Sequence, residues 1–152
     1  MVDYGDCIES EIMQRRKARE AALQALFQID VGRAEVEDAV TYVVTLNDLN
    51  DAGEKFCREL VTGVLANLEL IDKLIAEHTV DWDIKRLGNV ERNLLRMALF
   101  ELMYLQDIPV GVTINEAVEI AKTFANDDSG RFVNGILGRF AREQNLDDDS
   151  EG

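Results

Sequence analysis

Cysteine, histidine and proline are scarce in this chain. Two cysteines, one histidine and one proline occur among 152 residues. Cys7 and Cys57 are 50 residues apart without a CxxC pair, so the sequence predicts neither a disulfide framework nor a zinc site. His78 is the only histidine available to a Ser–His–Asp or Cys–His system, and no other feature indicates one. We therefore expect no catalytic centre and no metal.

Long apolar runs and nucleotide-binding motifs are also missing. The chain has no run of 18 apolar residues, so no membrane span is predicted. The first ten residues, MVDYGDCIES, lack the basic and apolar regions of a signal peptide, which predicts a cytoplasmic location. No HExxH, EF-hand or GxGxxG pattern occurs. We expect no enzymatic activity, no cofactor and no small-molecule substrate.

Charge is abundant but unevenly distributed. The net charge is −14, yet residues 1–13 hold four acids and residues 143–152 hold five, with no base in either segment. Removing these 9 negative charges leaves −5 for residues 14–142. We predict an acidic flexible extension at 1–13 and a disordered acidic tail at 143–152. In the mildly acidic body, a basic surface can dominate its surroundings within a Debye length of ~8 Å.

Apolar residues recur at helical spacing through nearly all of residues 14–142. The periodicity predicts six or seven helices, hence an all-α bundle protein. The β-branched run VTYVV leaves a short strand as an alternative to the second helix. A bend is predicted near Gly63 and Asn67, and residues 94–105 are apolar nearly all round, as in a central helix. Asn134-Gly135, a typical hairpin pair, lies inside a helical stripe and is predicted to be helical.

Helix ends are predicted from capping residues and glycines. Gly32 suits the end of the first helix, and Asn89 the start of the central one. Thr113 and Glu116 fit a capping box, and Asp128 or Ser129 fits the start of the last helix. Two further glycines, 135 and 138, are expected to allow close approach of another helix.

The segment QRRKARE contains the most unusual charge pattern. Its four cations, called here the cationic cluster, are Arg15, Arg16, Lys17 and Arg19. At 100° per residue they spread over roughly 200° of a helix, so we expect them to project from a helix start. Cations there oppose the helix dipole, and arginine suits bidentate phosphate contacts and stacking on bases. A solvated helix end is the alternative reading.

The sequence resembles the NusB transcription antitermination factors from about residue 14 to 142. RRKAREAALQALFQID resembles the opening helix of that family, and SGRFVNGILGRFA its closing helix. Between them, FCRELVTGVLANLELIDKLI, RLGNVERNLLRMALFELMY and DIPVGVTINEAVEIAKTF follow in the order of the family. The resemblance implies an all-α fold of two small helical bundles. It also implies a non-enzymatic factor that binds boxA-type single-stranded RNA with ribosomal protein S10 (NusE), and helps RNA polymerase read through terminators, notably during ribosomal RNA synthesis.

The resemblance also implies which residues bind. The cationic cluster would contact RNA, joined by residues around the start of the closing helix: Phe124, Asp128, Ser129, Arg131, Phe132 and Asn134. Glu91, with Phe27, would contact S10. The family commonly has Tyr, Asp and Gly where this chain has Phe27, Glu91 and Ala125, so the S10 contacts differ in chemistry.

Several alternatives remain open at this stage. Phe124 and Phe132 lie on apolar stripes typical of core residues, and Asp128 suits a helix cap as well as an RNA contact. A helical protein-interaction adaptor without RNA affinity is the alternative function. The acids Glu9 and Glu11 also precede the cationic cluster, which raises the hypothesis that they mask it.

Overall fold

In a computed structural model, the described residues are 4–79 and 87–146, excluding the side chains of residues 4–10. They form seven helices and no strand: α1 Tyr4–Asp30, α2 Val36–Leu46, α3 Asp51–Ala66, α4 Leu68–His78, α5 Asn89–Tyr104, α6 Val110–Phe124 and α7 Asp127–Glu143. They divide into two compact units, Met1–Thr62 (unit 1) and Gly63–Gly152 (unit 2). The predicted all-α, two-bundle fold is confirmed, and VTYVV is helical.

Unit 1 is built on a face of small residues on α1. Alanines 18, 21, 22 and 25 are fully buried there. Their side chains let neighbouring elements approach closely, and α2 contributes Val40 and Val43 to the same core. Cys57 on α3 is fully buried, and burial raises the pKa of its thiol to about 11. The thiol therefore stays protonated near neutral pH and is unreactive.

Unit 2 surrounds α5, which packs against α4, α6 and α7. Every residue from Asn93 to Leu102 is buried, which confirms the predicted central helix. Two charged residues in that run are paired within unit 2. Arg96 donates from Nε and Nη2 to the two carboxylate oxygens of Asp72 on α4, at 2.8 and 2.9 Å. A bidentate pair of this kind fixes the rotation of one helix against the other.

The predicted bend between α3 and α4 is a break at Asn67. Its backbone N–H and its side-chain Nδ2 both donate to the carbonyl of Gly63, at 3.2 and 2.8 Å. The side chain thus satisfies a carbonyl at the end of α3. At the end of α1, Arg33 rather than Gly32 takes the left-handed conformation, with φ 55°. Gly32 is needed for space, because a Cβ there would lie 2.7 Å from the carbonyl oxygen of Gln28.

The predicted caps of α5 and α6 are wrong. Gly88 precedes α5, and the side chain of Asn89 instead accepts from Arg92 Nη2 at 2.7 Å. Pro109 precedes α6, whose start is favoured by the fixed φ of proline. Thr113 therefore lies inside the helix, buried, with its hydroxyl 3.4 Å from Glu101 Oε1.

Helices extend into both of the acidic segments at the ends of the chain. Tyr4–Met13 belong to α1, so the cationic cluster lies within a helix and not at its start. Glu143 is the last residue of α7, where it bonds to His78 Nε2 at 2.7 Å and Arg139 Nε at 3.0 Å. His78 ends α4 and is buried, as expected for a structural histidine. The rest of the predicted tail, 147–152, lies outside the described residues.

The glycines of α7 differ from expectation. A Cβ on Gly135 would meet nothing within 4 Å, and one on Gly138 would meet only Arg142 Nη1 at 3.3 Å. Close approach occurs instead at Gly130, where a Cβ would lie 2.8 Å from Lys122 Cγ, and at Gly63, where it would meet the Phe100 ring at 2.1 Å. Asn134 and Gly135 are helical, as predicted.

Candidate nucleic-acid interface

The cationic cluster lies in unit 1, and its four side chains differ in solvent exposure. Arg15 is exposed, and Arg16 and Lys17 are half-buried. The Arg15 guanidinium lies 4.4 Å from the centre of the Phe56 ring on α3, within the range of a cation–π contact. The ring holds Arg15 in place while leaving its charge accessible. This part of α1 thus presents a basic surface to solvent.

Arg19 differs from the other three cations. It is only 3% exposed, and its guanidinium lies 5.2 Å from the centre of the same Phe56 ring. The expectation that all four cations project is therefore wrong for Arg19. The Phe56 ring is within cation–π range of this buried guanidinium. Arg15, Arg16 and Lys17 are the accessible part of the cationic cluster.

The second set of candidate residues surrounds the start of α7 in unit 2. Asn126, not Asp128 or Ser129, caps this helix, because its side-chain oxygen accepts the Ser129 backbone N–H at 2.9 Å. Asp128 is therefore free of the capping role and forms an exposed ion pair with Arg131. Ser129 is 6% exposed. The helix start is held by its own hydrogen bonds.

The other candidates around the start of α7 are at least partly exposed to solvent. Phe124, the last residue of α6, is 37% exposed, and Phe132 is half-buried. Asn134 is exposed on α7. Phe124 is therefore accessible to a stacking base, whereas Phe132 offers only part of its ring.

Glu91, which the resemblance assigns to S10, is hydrogen-bonded to Ser129, which it assigns to RNA. Its carboxylate accepts a hydrogen bond from the Ser129 hydroxyl, which connects the start of α5 to the start of α7. The carboxylate also lies over Gly88, where any Cβ would be 2.1 Å from Oε1. Glu91 is half-buried, so an S10 contact would engage a side chain already held within unit 2.

An apolar surface accompanies Phe27 in unit 1. Phe27 is 40% exposed and Val31, one turn later, is 47% exposed. Val31 follows the last residue of α1, but its backbone N–H still donates to the Phe27 carbonyl at 2.9 Å, so the helical turn continues and the two residues lie on the same side. Phe27 therefore belongs to a small exposed apolar patch.

Sequence reasoning missed the surroundings of the cationic cluster. Phe56 contacts two of its arginines, and Asn50 donates its backbone N–H to Gln14 Oε1 at 3.2 Å. No local sequence pattern relates residues 36 or more positions apart. Among the described residues, no group of His, Cys, Asp or Glu could hold a metal ion, and no helix is long and apolar enough to cross a membrane.

The sequence model of the NusB family matches residues 16–142. The chain belongs to the NusB family. Its relative in Heliobacterium modesticaldum, a transcription antitermination protein NusB, is 49% identical over 131 residues; the alignment covers 86% of this chain and 64% of that protein. This NusB-family chain thus spans slightly less than two thirds of that relative's length.

Two solved structures share the NusB fold with this chain. NusB from T. maritima has a TM-score of 0.79 and 40% identity, with 85% of this chain and 91% of that chain covered. A crystal structure of antitermination factors NusB and NusE in complex with dsRNA contains a chain with a TM-score of 0.79 and 30% identity; 86% of this chain and 98% of that one are covered. The fold expected from the resemblance is thus shared with solved NusB structures.

Proposed function

We propose that this NusB-family protein binds boxA-type single-stranded RNA together with ribosomal protein S10 (NusE), and thereby promotes read-through by RNA polymerase, notably in ribosomal RNA synthesis. It acts by binding, without catalysis, in the cytoplasm. The observation that carries the proposal is the accessible basic surface of Arg15, Arg16 and Lys17 on an otherwise acidic chain. The solved complex of NusB and NusE with dsRNA supports RNA and NusE as ligands, and the choice of a boxA-type single strand rests on the sequence resemblance.

The α1 surface supplies the electrostatic part of RNA binding. Because Arg19 is buried, three cations remain for phosphate contacts. At about 0.7 per phosphate for a single strand, the logarithm of affinity should change with that of salt concentration with a slope of about −2.1. Raising salt from about 50 to 200 mM would then weaken binding roughly 20-fold. Three phosphate contacts give only weak RNA binding by this protein alone. A second subunit that adds contacts to the same RNA would therefore be needed for tight binding.

The start of α7 supplies contacts of another kind. Asp128, Ser129, Arg131, Phe132 and Asn134 carry hydrogen-bonding and aromatic groups with little net charge. In this proposal the more exposed members contact bases and sugar, with Phe124 as a stacking surface, and the buried Ser129 holds the helix start through its hydrogen bond to Glu91. Asp128 is an acceptor for base amino groups, since a carboxylate cannot neutralise phosphate.

In this proposal S10 contacts Phe27 of unit 1 and Glu91 of unit 2. Phe27, with Val31, offers exposed apolar area, and Glu91 offers a carboxylate. The exposed apolar pair also favours the alternative function, an adaptor that binds S10 and has no RNA affinity of its own.

A titration of boxA RNA with and without S10, over a salt series, tests the proposal. We expect salt-sensitive binding by the protein alone, and tighter binding when S10 is present. A duplex of the same sequence, measured in parallel, should bind more weakly than the single strand. S10 binding without any salt-sensitive RNA affinity would instead establish the adaptor function.

A further inference from the structure

An open cavity of about 320 Å³ lies beside Arg15 in unit 1. Its lining comes from α1 and from the start of α3: Glu11, Gln14, Arg15, Asn50, Ala52, Gly53 and Phe56. The volume is at the lower end of the range for small-ligand sites, about 300–1,000 Å³. Only Arg15 among its residues has a role in the proposed RNA contacts, so the rest of the cavity has no assigned use.

The walls of this cavity are held in place by their own contacts. Gln14 Oε1 accepts the Asn50 backbone N–H at 3.2 Å, and Asn50 Oδ1 accepts the Gly53 backbone N–H at 2.8 Å. A Cβ on Gly53 would lie 2.7 Å from Gln14 Oε1, so the start of α3 lies directly against the Gln14 side chain of α1. The cavity is therefore a formed site with amide groups at fixed positions.

One wall is the cation–π contact between Arg15 and Phe56. Phe56 is 6% exposed, and the Arg15 guanidinium lies over its ring at 4.4 Å. A guanidinium packed on an aromatic ring on one side presents a flat face on the other. Flat, cationic faces of this kind are stacking surfaces for nucleobases.

The charges of the cavity select against a phosphate. Glu11 lines it together with Arg15, so the two charges compensate one another. A phosphate placed here would meet a carboxylate, whereas a neutral base would meet hydrogen-bonding groups and a stacking face. The carboxylate favours a ligand edge that carries N–H donors.

We propose that this cavity receives one unpaired base of the RNA strand that the cationic cluster binds. The base stacks on Arg15, which is supported by Phe56, and its edge bonds to Gln14, Asn50 and Glu11. Because Glu11 accepts hydrogen bonds, a base with an exocyclic amino group (adenine, cytosine or guanine) is preferred over uracil, whose only donor on that edge is its ring imide N–H. This inference rests on the proposed RNA binding, and it assigns Arg15 a base contact in addition to its charge.

Abasic scanning of the RNA tests the stacking. Each nucleotide of a boxA oligonucleotide is replaced in turn by an abasic one, and affinity is measured with the full chain. We expect one amino-bearing position at which base removal costs about tenfold, as for loss of a stacked base. Arg15→Lys keeps the charge but lacks the planar group. In this variant, base removal at the sensitive position should no longer weaken binding, and the salt dependence of affinity should stay the same. Arg142→Lys, at the exposed end of α7, is the matched control and should leave the profile unchanged.

The second variant tests Glu11. Glu11→Gln should reduce the preference for an amino-bearing base over uridine at the sensitive position. If it instead strengthened binding to every sequence equally, Glu11 would be a mask over the cationic cluster, and the base-binding inference would be overturned. Thermal unfolding of both variants separates a folding defect from lost recognition.

The two proposals fail in different ways. Absence of salt-sensitive RNA affinity would overturn the proposed function and this inference together. Salt-sensitive binding with no sensitive abasic position, or with a profile unaltered by Arg15→Lys in a folded protein, would overturn the base cavity and leave the proposed function intact.

Discussion

The two candidate RNA-binding regions differ in charge and in how they are held. The segment 14–20 of α1 has four cations and one acid, a net charge of +3, whereas residues 124–134 have two acids and one cation, a net charge of −1. The α1 region supports its exposed arginine on an aromatic ring. The α7 region is held by a cap and by the Glu91–Ser129 hydrogen bond.

This difference separates electrostatic affinity from recognition. Charge on α1 acts over several ångströms and is weakened by salt. Hydrogen-bonding and aromatic groups at the start of α7 act only at contact and depend little on salt. If both bind RNA, substitutions in the first should change the salt slope, and substitutions in the second should change affinity at constant slope.

The largest effect is expected from reversing charge on α1. Arg15→Glu with Arg16→Glu should weaken boxA RNA binding about 100-fold at low salt and reduce the slope by about 1.4, because two phosphate contacts are lost. The double variant Lys55→Glu/Lys73→Glu, at exposed lysines outside the cluster, makes the same change in net charge and should have a much smaller effect. If RNA affinity were unchanged by the Arg15/Arg16 reversal, the basic surface of α1 would not be part of the RNA-binding site. Thermal unfolding should change little.

A smaller effect is expected at the junction of α5 and α7. Glu91→Lys should weaken S10 binding about tenfold or more, by removing a carboxylate and adding an opposed charge. RNA binding by the protein alone should fall less, through the lost hydrogen bond to Ser129. Glu69→Lys, at an exposed acid on α4, is the control with equal charge change. An S10 affinity unchanged by Glu91→Lys would remove Glu91 from the partner surface.

A pair of glycine substitutions compares the packing of α7 at its start and its middle. Gly130→Ala should destabilise the protein by about 1 kcal/mol, because the added Cβ overlaps Lys122 Cγ and must displace it. Gly135→Ala meets no neighbour and should stabilise by about 0.5–1 kcal/mol, since alanine favours a helix. Chemical denaturation measures both. Equal effects of the two substitutions would contradict the described packing of Gly130.

The smallest effect is a pH dependence at the far end of α7. Hydrogen bonds from Arg139 and then His78 lower the pKa of Glu143 below 4.5. A carboxylate with a lowered folded-state pKa stabilises the fold above its unfolded pKa, and this contribution is lost as pH falls through the folded value. The Tm advantage of the parent chain over Glu143→Gln should therefore shrink from pH 6 to pH 3. A constant difference would show that the ionised carboxylate does not contribute.

Local periodicity was sufficient to predict the helices but not their ends. Several capping residues stand near each predicted start, and the choice among them depends on neighbouring elements. Thr113 fits a capping box, yet α6 begins at Val110, directly after Pro109, and Thr113 is buried inside the helix. Asn126 precedes two other cap candidates and has the geometry to accept the Ser129 N–H. Helix existence is a local property, whereas helix ends respond to packing.

The candidate site shows the same division. The cationic cluster is visible in sequence because its residues are adjacent, and Phe124 and the α7 residues are implied by the resemblance. Burial of Arg19 could not be predicted, since it depends on Phe56, which is 37 positions away. The Glu91–Ser129 bond joins residues 38 apart in sequence for the same reason.

Sequence alone was enough to predict the all-α class, a bend near Gly63 and Asn67, the central α5 and a basic segment in an acidic chain. These follow from periodicity, composition and adjacent charges, which act within a few residues. Tertiary structure decided which cations are accessible, which residue caps α7, and that Glu11, Gln14, Asn50 and Phe56 line one cavity. Those properties arise from contacts between helices, which depend on where distant parts of the chain meet.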